Sequence, residues 1–279
     1  MIILEDLRNE YHKNLARSVL SIDKTGIVNN ADRHSKLSVS LARGIIDAMA
    51  IDISTAKNIG QTAGKEFERE TSTFLEKAFG YLNHLRYGKY RFHIGKSIDE
   101  FEQYEHLAAL TEALEINKEL KTILGDYIVS PDIVIGKEPL EDDEINMKMN
   151  FIENRDYAFL TPLRSINANK LILHASISCK WTIRSDRSQN ARTEGMNLIR
   201  NRKGHTPHIV IVTGEPYPNR IASLALGTGD IDCVYHFALK ELITAANKLQ
   251  SDAVIDLLDT MIKGKRLRDI SDLPFDLII

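Results

Sequence analysis

Leu171-Ile-Leu-His-Ala-Ser-Ile-Ser-Cys-Lys180-Trp-Thr-Ile-Arg184-Ser-Asp-Arg187 is the stretch that decides the fold. Leu171, Leu173, Ala175, Ile177, Cys179 and Trp181 fall on one side of an extended strand. Ile172, His174, Ser176, Ser178 and Lys180 fall on the other, because side chains alternate along a strand. The polar face ends in lysine, so the strand delivers an ammonium group to whatever acids gather there. The basic tail sets Arg184, Asp186 and Arg187 within four residues. The first half reads as chemistry and the second as recognition.

Further strands are expected at Tyr90–Ile94, at Tyr127–Ile135 broken by Ser-Pro-Asp132, at Pro207–Thr213 and at Ile231–His236. Pro207–Thr213 is apolar almost throughout, as in a sheet covered on both faces. Helical spacing marks residues 2–21, Ala31–Ala50, Thr62–Leu85, Asp99–Leu124, Ala191–Arg202, 237–249 and 251–263. Glu138–Glu144 reads as a loop. Repeats and linkers are absent, so the expectation is a single α/β domain over 1–279, a central mixed sheet flanked by helices.

The net charge of −3 argues against a non-specific nucleic-acid binder. Between Lys180 and Lys203, however, seven basic residues face only two acids, Asp186 and Glu194. A basic patch focused on an acidic protein suits site-specific phosphate binding, or else it is a solvated helix face. The first residues turn acidic at once, unlike a signal peptide, and no apolar run approaches the ~20 residues of a membrane span. Two cysteines, Cys179 and Cys233, fit a reduced, cytoplasmic compartment.

An aspartate in an apolar strand needs a partner or a metal. Asp132 on one strand and Lys180 on another are the pair of interest. Ser178 stands two residues before Lys180, where many metal-dependent nucleases carry an acid. A second carboxylate must then come from elsewhere, and Glu194, near the start of the next helix, can fold back. Asp132, Glu194 and the Cys179 carbonyl would hold Mg²⁺, a hard cation preferring oxygen ligands. Lys180 would orient and ionise an attacking water. A structural Asp132–Lys180 ion pair is the plain alternative. Glu68, beside the buried stripe Phe67, Phe74, Ala78 and Leu82, reads from sequence alone as a surface glutamate. Asp32 reads as a charge at a helix start.

Ser-Pro-Asp132, Ser178-Cys-Lys180 and Glu194, together with Gly64-Lys-Glu-Phe67-Glu68 and Arg184-Ser-Asp186-Arg187, resemble the type II restriction endonucleases of the NgoMIV group. That group lies within the PD-(D/E)XK superfamily and uses this rearranged acid. The motifs reach from about residue 30 to 220, most of the chain. The resemblance implies a restriction-endonuclease-like fold and adds Glu68 to the active site. Arginine pairs bidentately with guanine and aspartate accepts from cytosine N4, so Arg184, Asp186 and Arg187 match the two G·C pairs of a half-site in CCGG. Asp32 and Arg220 correspond to flanking G·C readers and Gln61 to a minor-groove contact, implying GCCGGC. It further implies double-stranded DNA as partner, 5′-staggered ends and a homodimer or homotetramer. The rivals are a repair or junction nuclease reading DNA shape, and a DNA-binding protein without catalysis.

Overall fold

The computed structural model describes residues 3–53, 60–117, 119, 122, 129–153, 156–227 and 229–279, with only the backbone of 60, 61, 111, 115 and 185–188. In chain order the elements are α1 (Ile3–Ser18), α2 (Lys36–Met49), α3 (Gly60–Leu82), β1 (Tyr90–Ile94), α4 (Ala108–Ile116), β2 (Ile133–Lys137), α5 (Asp142–Ile145) and β3 (Ile172–Lys180). There follow α6 (Ser185–Asn201), β4 (His208–Thr213), α7 (Pro218–Ala225), β5 (Cys233–His236), α8 (Leu239–Leu249), α9 (Asp252–Lys263), β6 (Leu267–Asp269) and α10 (Leu273–Asp276). The strands form one mixed sheet in the order β1-β2-β3-β4-β5-β6, antiparallel at β1–β2 and parallel at β4–β5 and β5–β6. The expected mixed sheet with flanking helices is present. Among the described residues no helix is long and apolar enough to cross a membrane.

Internal contacts group the chain into two units. The first comprises Met1–Arg86, Ile177–Gly195 and Ile209–Ile279, and the second Tyr87–Ser176 and Met196–His208. In the first unit α1 packs on α3. Tyr11 stacks on Phe74 with ring centroids 5.2 Å apart, and its hydroxyl lies 3.0 Å from that of Thr71. The Arg8 guanidinium is buried between Asp269 and Glu241, with a two-pronged contact to each at 2.7–2.9 Å. Removing one partner of such a buried charge cluster costs about 3–5 kcal/mol. Parallel strands covered on both faces are apolar throughout, and Ile209 to Val212 and Cys233 to His236 are all buried.

In the second unit β1 and β2 pair in register from Tyr90↔Lys137 to Ile94↔Ile133. The Gln103 side chain donates to the Leu173 carbonyl at 2.8 Å and accepts from its N–H at 2.7 Å, so a buried amide is satisfied at both ends. Arg164, equally buried, is held by Asp142 at 2.7 and 2.8 Å.

Several boundaries differ from expectation. The span Asp99–Leu124 is not one helix: it opens with 3₁₀ turns at Ile98–Glu100 and Glu102–Leu107 before α4, and much of its end lies outside the described residues. Ile98, Phe101, Tyr104 and Leu107 are all buried. Their strict three-residue spacing is the 3₁₀ period. α2 begins at Lys36, with Ser35 as its N-cap accepting from the Ser38 N–H. Asp32 therefore precedes the helix instead of sitting in its first turn. α6 starts at Ser185, six residues before the expected Ala191, which puts Glu194 in its third turn. Glu138–Glu144 runs into the short helix α5, and α7, β6 and α10 were not anticipated.

Candidate active site

β3 is buried along its whole length until Lys180, which is half-buried. The strand end is fixed through its backbone. The Lys180 carbonyl accepts from the Thr213 hydroxyl at 2.7 Å and from the Gly214 N–H at 3.2 Å. Trp181 follows and packs between Phe67 (5.0 Å between centroids) and Phe237 (5.3 Å). Phe67 is the residue before Glu68, so the turn of α3 that carries this half-buried glutamate lies at the end of β3 that carries Lys180. Gly214 is required here: a Cβ would strike the Trp181 ring.

Ser178, on the same face as Lys180, donates its hydroxyl hydrogen to Glu194 Oε2 at 3.1 Å. Glu194 therefore folds back from α6 onto the strand, as the sequence suggested, although from the third helical turn. The neighbouring Gly195 lies against the Asp230 carbonyl, where a Cβ would collide. That close approach seats the turn of α6 that carries Glu194. Arg192 is not part of a free basic patch. It donates to the Ser223 carbonyl and lies 3.7 Å from Asp230.

The recognition candidates divide. Arg184 is exposed just ahead of α6, while Asp186, Arg187 and Gln61 lie in the first turns of α6 and α3 with only their backbone described. Asp32 and Arg220 form an ion pair across 188 residues of sequence. The Asp32 carboxylate also accepts from the His34 N–H at 3.0 Å, and that bond with Arg220 holds its pKa below the usual range. Asp132 belongs to the second unit, half-buried immediately before β2, where its carbonyl accepts the Gly95 N–H at 3.1 Å.

Glu215 was missed by sequence reasoning. It is fully buried after β4 and accepts from the Ile183 N–H at 2.8 Å and the Tyr217 N–H at 3.1 Å. The same oxygen that accepts from Ile183 lies 3.7 Å from Arg220. An acid followed by proline at the carboxyl end of a buried strand was the available signal, since ligand sites in parallel sheets gather there.

Among the described residues no three His, Cys, Asp or Glu side chains group as a metal cage. The group seated against the polar face of β3 is the Glu194 carboxylate, an oxygen donor of the kind a hard cation takes.

The family described as NgoMIV restriction enzyme matches residues 11–279. The chain is 47% identical to the type II restriction enzyme NgoMIV of Neisseria gonorrhoeae over 98% of its own length and 97% of that protein's. Among solved structures, it is similar to type IIF restriction endonuclease Bse634I with cognate DNA, at 16% identity, covering 84% of this chain and 81% of that one with a TM-score of 0.33. It is also similar to a complex of restriction endonuclease PspGI with substrate DNA, at 13% identity, covering 99% and 91% with a TM-score of 0.32.

Proposed function

This chain belongs to the NgoMIV restriction-enzyme family and is a type II site-specific deoxyribonuclease, and from that premise we propose that it requires Mg²⁺ and cuts within a CCGG-centred palindrome, GCCGGC. The observation that carries the catalytic assignment is the Ser178–Glu194 hydrogen bond. It sets a carboxylate beside the strand position where the more usual nuclease pattern has an acid of its own. Lys180, two residues on, holds the attacking water and offsets charge on the phosphate as the bond from water oxygen to phosphorus forms and the bond from phosphorus to the leaving sugar oxygen breaks. Asp132, from the motif, and Glu194, with the Cys179 carbonyl, are the groups that would hold the metal. Bound there, it would stabilise negative charge on the reacting phosphate. Glu68 adds a further acid beside the strand end.

For recognition, Arg184 and Arg187 take the two guanines of a half-site and Asp186 the cytosine amino groups. Asp32 and Arg220 read the flanking pair, and Gln61 contacts the minor groove. The match over residues 11–279 supports treating 1–279 as one restriction-endonuclease-like domain. A homodimer or homotetramer acting on double-stranded DNA in the cytoplasm completes the reading. The test is a panel of duplexes with single substitutions across GCCGGC, digested with Mg²⁺ and with EDTA. Cutting confined to the intact GCCGGC duplex and abolished by EDTA is expected, and cutting that survives flanking changes would reduce the site to CCGG. Indifference to the central four pairs would leave the site assignment without support.

A further inference from the structure

Glu215 carries no role in the reaction above, yet two backbone donors and a guanidinium converge on its carboxylate. One is the N–H of Ile183, the residue before Arg184. Another is the N–H of Tyr217, the residue that leads into α7. The guanidinium of Arg220, on α7 itself, lies 3.7 Å away as an ion pair. Its main chain is held as closely. The Glu215 N–H donates to the Thr213 hydroxyl at 3.1 Å, and that hydroxyl in turn donates to the Lys180 carbonyl. The Glu215 carbonyl accepts from His236 Nε2 at 3.2 Å. Because His236 Nδ1 accepts from the Ala238 N–H, Nε2 is the nitrogen that bears hydrogen.

We infer that Glu215 is a positioning residue for sequence recognition, a buried carboxylate that fixes the backbone leading to Arg184 and the guanidinium of Arg220 in one frame. The inference rests on the reading of Arg184 and Arg220 as base contacts. Bidentate contact with guanine tolerates little displacement, so an arginine on an unbraced loop discriminates poorly. Arg220 has two acidic neighbours, the half-exposed Asp32 and the fully buried Glu215. If Asp32 turns to a cytosine amino group on binding DNA, Glu215 remains to hold the arginine. Burial raises the Glu215 pKa, and the Ile183 and Tyr217 N–H groups and Arg220 oppose that rise. A second acid that never reaches solvent is thus accounted for by the donors around it.

Glu215→Gln has the same shape, but its NH₂ replaces one acceptor oxygen. Whichever way the amide turns, that NH₂ faces a backbone N–H. Glu215→Asp keeps the charge and withdraws it by one methylene. The experiment measures kcat/KM on GCCGGC and on duplexes changed at the flanking pair or an inner pair, for wild type, both variants and Arg220→Ala, with melting temperatures alongside. Selectivity at the flanking pair is expected to fall about tenfold in Glu215→Gln, with a smaller loss at the inner pair next to Arg184. Glu215→Asp should show the same order and is read alone if the glutamine variant does not fold. If Arg220→Ala loses flanking selectivity while the folded Glu215 variants keep it, or lose rate equally on every duplex, the inference is overturned and base reading by Arg220 stands. If Arg220→Ala keeps flanking selectivity, that base reading fails first and the inference falls with it.

Discussion

Lys180 is anchored from behind. Its carbonyl is held by Thr213 and Gly214, and the next residue, Trp181, is clamped by two phenylalanines, so the ammonium group projects from a rigid base. Lys180→Ala should leave that base intact. We expect Mg²⁺-dependent cutting to fall by about 10²–10⁴-fold while binding to a cognate duplex, measured with EDTA present, is retained. Unchanged cutting would remove Lys180 from the mechanism. Ser178→Ala leaves Glu194 without one donor, a loss of about 0.5–1.5 kcal/mol. A drop in kcat of about tenfold or less, with KM little changed, is the expected result. The placement of both residues on one face of β3 was legible in the sequence because side chains alternate along a strand, and a serine in an acid's place raises the question of where the acid is. Glu68 was not. A half-buried glutamate beside an apolar stripe has the pattern of a surface residue, and only the family motif set it apart. Glu215 was also hidden, because its partners are backbone N–H groups that no side-chain pattern records.

At the level of elements, β1, β3, β4 and β5 were read well because an apolar β-branched run bounded by turns leaves few alternatives. The strand expected over Tyr127–Ile135, whose start lies outside the described residues, runs Ile133–Lys137, and β6 was not anticipated. His208–Thr213 and Tyr90–Ile94 lie within a residue of expectation. Helix starts were read poorly. α6 begins at Ser185 although its first residues, Ser-Asp-Arg-Ser-Gln-Asn, have no apolar stripe to announce a helix. Helical periodicity appears only where a face is buried, and among the described side chains of α6 the first buried one is Ala191. The same reasoning explains α7, whose eight residues are too few to establish a period. The β4–α7 connection depends on Gly214, because the Trp181 ring occupies the space of a Cβ. Gly214→Ala should destabilise the protein by about 1–3 kcal/mol through overpacking, lowering the thermal midpoint. A midpoint equal to wild type would mean that Trp181 can move aside freely.

Across the whole molecule, two buried groups divide the pH dependence of stability into separate windows. Burial lowers the His236 pKa to about 4 from 6.5, so the unfolded chain takes up the proton first as the solution becomes acid. Stability is fully present above pH 6.5 and falls as pH drops toward 4, by on the order of 3 kcal/mol for this residue. Burial alone would raise the Asp269 pKa, but the Arg8 hydrogen bonds and charge bring it to about 2. Its contribution is intact above pH 3.8 and is lost only as pH falls through 2. Urea unfolding should therefore weaken first between pH 6.5 and 4. Replacing His236 by Gln should reduce the slope there by about one proton, although buried His12, whose pKa burial also lowers, keeps part of it. A slope identical to wild type would show that His236 titrates normally.

The Arg8 cluster also bears on timing. Arg8 is translated almost at once, while Asp269 arrives 261 residues later, and the unit they close also draws on Ile177–Gly195 between them. Closing a loop of that size is slow and leaves early segments waiting for late ones. A nascent chain that already carries Lys180 and Glu194 still lacks Asp269, the β6 carboxylate that Arg8 of its first helix pairs with. We expect a DNA cutter assembled this way to stay inactive on the ribosome until synthesis is nearly done. Chains ending before Leu267 should be protease-sensitive and unable to cut. A truncated chain that cuts would show that closure at Arg8 is dispensable.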